Sequence, residues 1–582
     1  MANFSISPGV TTSEIDNTFL TGQPVQAGAA IIGPTVKGPV EIPTLVTSYA
    51  DFVNRFGDVL ISGSNTYSYL TSISAYNYFQ NGGKSLIVAR VVSASNNWSS
   101  AESTEMVDIL QSNIYVTGGY VNPGYAGVSP FVLETISEGE IMNSDSPVVS
   151  GSYTSGSKDN LRYEIVNPNS ASGTFNVLIR RGDDRDSNKL ILETWNNVNL
   201  DPNSSRFISK VIGDQILGYD SVSNQVEILS GSYANQSRYV RVKTINNLTP
   251  NYFDNNGIPK PQFTGSLPAA QNGAFYNATG TIANAVSFYE NIGVQTQGVT
   301  SGDYDNMVDL LANRDDYQFN ILSTPGLINE HHTATISNII VNTQNRGDNL
   351  YVVDMVDYNG VLADATTQAS SRDTSYAATY WPWVRIIDPG TGKQVYVPAS
   401  TLIPGVYAYN DKVAAPWFAP AGINRGGLSN VLAAKAKLSQ ADRDELYTNN
   451  VNPIATFPRT GVSVFGQKTL QKGASALDRI NVRRLLIELK AYIAQVADTL
   501  VFEQNTITTR NNFLARVNPY LSTIQQKQGL YAFKVIMDET NNTPDVVDRN
   551  QLIGQIYVQP ARTAEFIALD FILLPTGAQF PS

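Results

Sequence analysis

Two strand-length runs separated by one helix constrain the fold of this chain more than any other feature. Residues 319–322 and 350–356 are rich in apolar side chains, and residues 335–346 between them have the spacing of a helix with Gly347 just beyond its end. A strand, a helix and a second strand at this spacing form a βαβ unit whose strands pair in parallel. The sequence therefore predicts an α/β domain built on a parallel sheet.

A long β-rich segment interrupts this α/β pattern. Between about 100 and 285, Gly, Ser, Asn and Thr dominate, and turn signals recur roughly every ten residues. In the C-terminal third, an apolar stripe over 482–500 predicts a helix, and a second helix over 513–524 carries Pro519, where we expect a kink or a restart. We predict four parts: an extended N-terminal arm at 1–20, an α/β domain formed by 21–98 together with 286–400, an inserted, surface-exposed β-rich domain at 99–285, and an α+β C-terminal domain at 401–582 that ends in a strand.

The side chains needed for most enzyme chemistry are scarce in this sequence. The 582 residues include no cysteine and two histidines, His331 and His332, which excludes disulfides, thiolate zinc sites and a cysteine nucleophile. The triplet at 83–85 resembles part of a phosphate loop, but a strand follows it where that motif needs a helix. We find no serine elbow in a strand–turn–helix context. We therefore predict no catalytic, metal-binding or cofactor-binding residues and no cofactor, with a hydrolase that uses either histidine as a remote alternative.

Charge is distributed unevenly along the chain. The net charge is -11, which argues against nucleic-acid binding by the whole chain, yet 459–534 carries eleven Lys or Arg against four Asp or Glu. A basic module predicts contact with an acidic surface. The alternatives are a solvated helix face and an ion pair between Arg484 and Glu488. The candidate contact residues are Lys468, Lys472, Arg479, Arg483, Arg484 and Lys490. We expect no membrane span, because no apolar run approaches 18 residues.

Several short stretches, taken in order, resemble the contractile tail sheath proteins of phages. They cover roughly 1–95 and 300–582 and leave out the β-rich insertion. One departure is Pro416-Trp417-Phe418, where the family usually has Val-Trp. The stretches are 7–10 (SPGV), 81–91 (NGGKSLIVARV), 375–384 (SYAATYWPWV), 404–408 (PGVYA), 419–422 (APAG), 452–454 (NPI), 466–470 (GQKTL), 480–484 (INVRR) and 564–567 (AEFI).

The resemblance implies a structural protein and not an enzyme. Sheath subunits stack as six-fold rings in a helix around an inner tube and contract to drive that tube through the host envelope. The implied fold is a subtilisin-like α/β core without catalytic residues, with the insertion facing outward and the C-terminal domain facing the tube. The implied partners are other copies of the chain, the inner tail tube protein, and the baseplate and tail terminator proteins, without direct contact to nucleic acid or membrane. The implied location is the virion, after assembly in the host cytoplasm.

Both ends of the chain are β-prone and lack a hairpin partner. An extended terminal strand can complete the sheet edge of a neighbour, and pairing inside its own domain is the alternative. The predicted inter-subunit residues are Phe4, Ile6, Val10, Glu14, Phe566, Ile567, Leu569 and Phe571. Two other functions remain open: the sheath of a secretion or extracellular injection system, and a β-rich baseplate or receptor-binding tail protein.

Overall fold

The computed structural model describes most of the chain between Val25 and Glu565. The described residues are 25–26, 28–62, 65–93, 105–107, 129–138, 158–185, 187–276, 288–290, 292–428, 430–458 and 461–565. The predicted arm at 1–20, the predicted terminal strand with its residues Phe566 to Phe571, and the predicted boundaries of the insertion lie outside them. The described part is a mixed α/β protein with several separate hydrophobic cores.

An eight-stranded sheet, which we call the main sheet, forms the centre of the α/β unit. Its six inner strands are parallel and its two edge strands are antiparallel. Numbered in chain order, the parallel strands lie in the doubly wound order 2-1-3-4-5-6. The predicted βαβ unit is confirmed, because Ile321–Ile328 and Leu350–Asp354 pair in parallel around the helix Thr333–Arg346. Across the sheet, the strands are Gly461–Val464, Val451–Phe457, Ala377–Trp381, Leu350–Asp354, Ile321–Ile328, Ala29–Gly33, Leu86–Arg90 and Thr44–Val46.

The main sheet is buried on both faces. Successive residues of each strand point to opposite sides of the sheet, so each face contributes side chains to a packed core. Ala29 and Ile31 pack into one core, and Ala30 and Ile32 pack into the other. The first core is covered by Tyr49–Phe56, Leu70–Gln80 and Ile403–Val413, and the second by Asp305–Leu310, Thr333–Arg346, Leu362–Ser370 and Gln440–Thr448. Gly347 has a φ of 69° and ends its helix in the left-handed conformation that glycine adopts at low cost.

The insertion contains a seven-stranded antiparallel sheet with a core of its own. Its strands fall between 105 and 276, and two short helices, Ile208–Ile212 and Pro261–Thr264, accompany them. Across the sheet, the strands are Ile191–Asn199, Thr174–Arg181, Leu161–Asn169, Gln271–Tyr276, Glu105–Val107, Phe131–Thr135 and Val240–Ile245.

Smaller elements join the larger ones. A three-stranded sheet contains Gln394–Val397, Val384–Ile387 and Val431–Ala434. The two-stranded pairs are Val25–Gln26 with Tyr317–Gln318, Leu60–Ser62 with Asn65–Tyr67, Ile216–Asp220 with Gln225–Ser230, and Gln295–Thr296 with Val299–Thr300. The remaining short helices are Ser301–Tyr304, Ala399–Thr401, Ala476–Asp478 and Pro544–Asp548.

The C-terminal unit consists of two long helices and one β-ribbon. Ile480–Asp498 and Ile507–Gln526, which we call the helix pair, pack with the strands Leu530–Ile536 and Gln555–Pro560, which we call the C-terminal ribbon. The expected restart at Pro519 does not occur, because a single helix runs through that position. Its start is capped by Thr506, whose hydroxyl accepts a hydrogen bond from the backbone N–H of Thr509 at 3.3 Å.

The predicted domain boundary at residue 400 is wrong, because it divides the main sheet. Val451–Phe457 and Gly461–Val464 are strands of that sheet, and Ile403–Val413 packs on one of its faces. The separate C-terminal core is formed by residues 485–558, together with Trp417. The C-terminal unit therefore begins beyond the last strand of the main sheet.

Candidate functional site

The C-terminal ribbon is a two-stranded sheet with one buried face and one exposed face. Phe533 and Val558 lie opposite each other and pack toward the helix pair. Tyr531 and Tyr557 are 63% and 55% exposed. Within the described residues no third strand joins the ribbon. Each strand therefore has an outer edge with backbone groups that another strand could pair with.

The predicted arm residues cannot be compared with this geometry. They lie outside the described residues, so their role in strand exchange stays a prediction. They are Phe4, Ile6, Val10, Glu14, Phe566, Ile567, Leu569 and Phe571.

Two of the predicted partner-contact residues, Arg483 and Arg484, lie inside the subunit. Their exposed fractions are 4% and 3%. Arg483 lies 3.9 Å from the ring centroid of Tyr376, and its Nε donates a hydrogen bond to the backbone oxygen of Ser375 at 3.2 Å. These two predictions are wrong, because a guanidinium that is buried against its own α/β unit cannot also contact a partner surface.

Arg484 forms an ion pair that connects the helix pair to the main-sheet unit. Its Nη2 lies 2.6 Å from a carboxylate oxygen of Asp411, and its guanidinium lies 4.8 Å from the ring of Tyr407. The ion pair between Arg484 and Glu488, which the sequence left as an alternative, is not formed; Arg484 pairs with Asp411 instead. Burial acts to lower the pKa of Arg484, but the Asp411 carboxylate, together with Tyr407 and Tyr380, outweighs it, and the pKa is raised above the ordinary arginine value. The start of helix Ile480–Asp498 is therefore fixed to the helix Ile403–Val413.

Two further basic candidates, Arg479 and Lys468, interact with side chains of their own chain. Arg479 pairs with Glu565 at 2.9 Å, and the ammonium of Lys468 lies 4.5 Å from the ring centroid of Tyr447. Burial, together with the nearby charge of Arg479, lowers the pKa of Lys468. Lys472 and Lys490 are exposed and remain candidates for contact with a partner.

Sequence reasoning missed the polar contacts between the insertion and the main-sheet unit. Arg90 is 1% exposed and donates hydrogen bonds from Nη1 to the backbone oxygens of Gly38 and Glu138, both at 2.6 Å. Burial lowers the pKa of Arg90 to about 10. Lys37 and Asp159 form a second buried pair at 3.1 Å. The sequence does contain one indication of these contacts, because Arg90 is a charged residue at the end of the otherwise apolar strand Leu86–Arg90.

The two histidines lie beyond the carboxyl end of a main-sheet strand and have different surroundings. His332 is buried, and its Nδ1 accepts a hydrogen bond from the backbone N–H of Ile328 at 2.9 Å. His331 is more exposed, and its Nε2 lies 3.5 Å from an oxygen of Asp357. Glu330, His331 and Asp357 offer ligand atoms within 4.8 Å of one another. Burial is the largest influence on His332 and lowers its pKa.

Asp354 is a buried carboxyl group at the end of a central strand. It is 4% exposed and accepts hydrogen bonds from the hydroxyl and the backbone N–H of Ser400, at 2.5 and 3.1 Å. Burial raises its pKa to about 7. Neither histidine is among its hydrogen-bond partners, so this Asp–Ser pair is not part of a described Ser–His–Asp arrangement.

Among the described residues, no helix combines the length and the hydropathy that a membrane crossing requires.

Two family models match the second half of the chain. Residues 297–470 match the phage tail sheath protein central domain, and residues 473–573 match the phage tail sheath C-terminal domain. The two matches meet where the main sheet ends and the C-terminal unit begins. The second half of the chain is therefore similar to these two domains of phage tail sheath proteins.

The similar curated proteins are tail sheath proteins of phages. That of Vibrio phage KVP40 is 41% identical over 207 residues, which are 36% of this chain and 31% of the relative. That of Enterobacteria phage T4 is 40% identical over 185 residues, 32% of this chain and 28% of the relative. The matched segment thus spans about a third of these relatives' length. Among solved structures, the sheath tail protein of Listeria innocua is similar to this chain with a TM-score of 0.49 and 10% sequence identity, covering 92% of this chain and 96% of the other.

Proposed function

We propose that this chain is the sheath subunit of a contractile phage tail. Copies of the chain stack as six-fold rings in a helix around an inner tube, and the sheath shortens to drive the tube through the host envelope during genome ejection. The observation that carries the proposal is the match of residues 297–470 and 473–573 to the two sheath domains, together with the sequence identity to the sheath proteins of two phages. The subunit works within the virion after assembly in the host cytoplasm.

Strand exchange is the proposed connection between subunits. The C-terminal ribbon has two open edges among the described residues, and both ends of the chain are β-prone. An end strand from a neighbouring copy would pair with such an edge through main-chain hydrogen bonds. The connection would then tolerate rotation of the subunit bodies, because an arm can change direction while its paired strand stays in register.

Contraction in this proposal needs no chemical reaction. The extended sheath is metastable and is held by a kinetic barrier, so the energy for contraction is stored during assembly. The subunit therefore requires no cofactor and acts as a structural protein rather than an enzyme.

The finer fold and domain assignments are also part of the proposal. The main-sheet unit is a subtilisin-like α/β domain without catalytic residues. Its six parallel strands with helices on both faces support this assignment. The competing description is a flavodoxin-like sheet, which shares the 2-1-3-4-5 strand order. We propose an arm at 1–20, an outward-facing insertion at 99–285, and a C-terminal unit that begins near 473 instead of 401.

Negative-stain electron microscopy of the chain expressed alone tests the proposed function. We expect hollow tubes with six-fold helical symmetry at high protein concentration. A chain that lacks residues 1–20 is expected to stay folded, with the far-ultraviolet circular dichroism of the full chain, and to form no tubes. Discrete trimers of the full chain under all conditions would contradict the proposal and favour a receptor-binding or baseplate protein.

The inner tube is the proposed partner of the basic residues that remain exposed. Reversing both charges, with Lys472→Glu and Lys490→Glu, is expected to weaken co-sedimentation with the cognate tube by about tenfold or less, because exposed ion pairs contribute only about 0–1 kcal/mol each. The loss should shrink at high salt. Lys527→Glu, an exposed lysine at the end of the helix pair, is the matched control. Equal tube binding by all three proteins at low salt would remove these two lysines from the interface. Baseplate and tail terminator proteins are the proposed partners at the two ends of the sheath.

A further inference from the structure

The last described residue of the chain, Glu565, is held by three side chains, two from the main-sheet unit and one, Arg479, that directly precedes the helix pair. Tyr447 donates its hydroxyl to one carboxylate oxygen at 2.6 Å, and Gln467 and Arg479 each donate to the other at 2.9 Å. Gln467 also donates to the hydroxyl of Thr563 at 2.7 Å. Burial acts to raise the pKa of Glu565, but these hydrogen bonds outweigh it and hold the pKa below its usual range. We call Tyr447, Gln467 and Arg479 the Glu565-binding site.

This site is fixed to the main sheet and not to the C-terminal ribbon. The backbone N–H of Lys468 donates to the side chain of Asn452, in an inner strand, at 2.6 Å, and that of Leu470 donates to the backbone oxygen of Ala377 at 3.0 Å. By contrast, Ala561 still bonds to the ribbon side, through the backbone oxygen of Gly529 at 3.1 Å. Within four residues, the chain therefore leaves the C-terminal unit and returns to the α/β unit.

Seventeen residues, 566–582, follow this point. Fully extended, they could span about 55 Å, roughly twice the length of the 19-residue helix Ile480–Asp498. Apolar residues alternate through 567, 569, 571 and 573, as in a strand that buries one face. The segment is therefore long enough to extend well beyond the length of the helix pair, and its sequence has the pattern of a strand that completes a sheet.

We propose that the Glu565-binding site fixes the point from which residues 566–582 leave the subunit, so that they reach the C-terminal ribbon of a second copy of the chain. The inference rests on the proposed sheath function for its destination, but the binding of Glu565 does not depend on assembly. Glu565 is thus a positioning residue for strand exchange. A charge-assisted carboxylate site suits this role, because its geometry is more specific than that of an apolar contact.

Trypsin cleavage of the unassembled full chain tests the site itself. Arg562 is exposed, and no lysine or arginine follows it, so cleavage there releases the last twenty residues as one peptide that intact-mass spectrometry detects. Glu565→Gln is expected to accelerate this cleavage about tenfold or more, because it removes hydrogen bonds to a charged group. Glu539→Gln, an exposed glutamate in the same unit, is the matched control and should cleave like the unmodified chain. Tyr447→Phe removes the hydroxyl that donates to Glu565 and should accelerate cleavage by a smaller factor. If Glu565→Gln does not fold, Tyr447→Phe still tests whether the site holds Glu565.

Tube formation by the same proteins tests the positioning role. Glu565→Gln is expected to raise the protein concentration needed for tubes about tenfold, with Glu539→Gln unchanged. Equal cleavage of Glu565→Gln, Tyr447→Phe and the unmodified chain would overturn the binding site. Faster cleavage with unchanged tube formation would overturn its role in exchange. If the unmodified chain forms no tubes, the proposed function fails and the exchange role fails with it, whereas the cleavage rates still decide whether the site holds Glu565.

Discussion

Replacing Arg484 with alanine is expected to lower the free energy of unfolding of the C-terminal unit by about 3 kcal/mol, the lower end of the usual cost of breaking a buried ion pair from one side, because the Asp411 side chain is 28% exposed. The guanidinium is 3% exposed and pairs with Asp411 at 2.6 Å. Its removal leaves Asp411 without this partner and opens a gap beside Tyr407. Urea titration measures the loss, and hydrogen exchange by mass spectrometry should locate it in helix Ile480–Asp498.

The same helix supplies the control for this prediction. Lys490 is exposed and lies six residues further along the helix, and Lys490→Ala should change the free energy of unfolding by no more than about 0.5 kcal/mol. Asp411→Asn combined with Arg484→Ala should cost less than the two single losses added together, because both changes remove one interaction. If Arg484→Ala were as stable as Lys490→Ala, the ion pair would not exist in solution, and Arg484 would again be a candidate for tube contact.

Replacing Asp354 with asparagine is expected to remove a pH dependence of stability worth about 2–3 kcal/mol between about pH 5 and pH 8. The folded-state pKa of Asp354 is about 7, above the unfolded value of about 3.9. The folded chain therefore retains a proton that the unfolded chain has lost. The stability from this proton is fully present below about pH 4 and is lost as the pH rises through about 7. Asparagine keeps an oxygen that can accept from Ser400 and cannot titrate.

The measurement is the difference in unfolding free energy between the unmodified chain and Asp354→Asn across this pH range. The difference cancels other titrating groups, including His332, whose lowered pKa gives a dependence of the opposite sign. Asp498→Asn, an exposed aspartate, should follow the unmodified chain at every pH. A difference that stays constant from about pH 5 to pH 8 would show that Asp354 is ionised throughout.

Local sequence patterns were sufficient to predict those helices and strands that depend on the spacing of nearby residues. The helix that ends before Gly347 and the parallel strands on either side of it follow from residue spacing and glycine chemistry. The boundary at 400 could not be found in this way. The strand Val451–Phe457 joins the main sheet only through pairing with Ala377–Trp381, some seventy residues earlier, and no local pattern records that contact.

The roles of the charged residues could be assigned only from the tertiary structure. A count of charges over 459–534 gives an excess of basic side chains, but it cannot tell an exposed lysine from a paired arginine. Arg484 is neutralised by Asp411 and Arg479 by Glu565, residues that lie 73 and 86 positions away. A partner surface was therefore predicted where much of the charge is used inside the subunit.

The sequence by itself determined the family resemblance, the parallel α/β core, the β-rich insertion and the two long C-terminal helices, because each depends on periodicity, glycine and proline positions or short motifs. The tertiary structure alone decided where the α/β unit ends, that Arg483 and Arg484 are buried, and that the C-terminal segment is held at Glu565. These features depend on side chains far apart in the chain, and only the packing of the main sheet against the C-terminal unit brings them into contact.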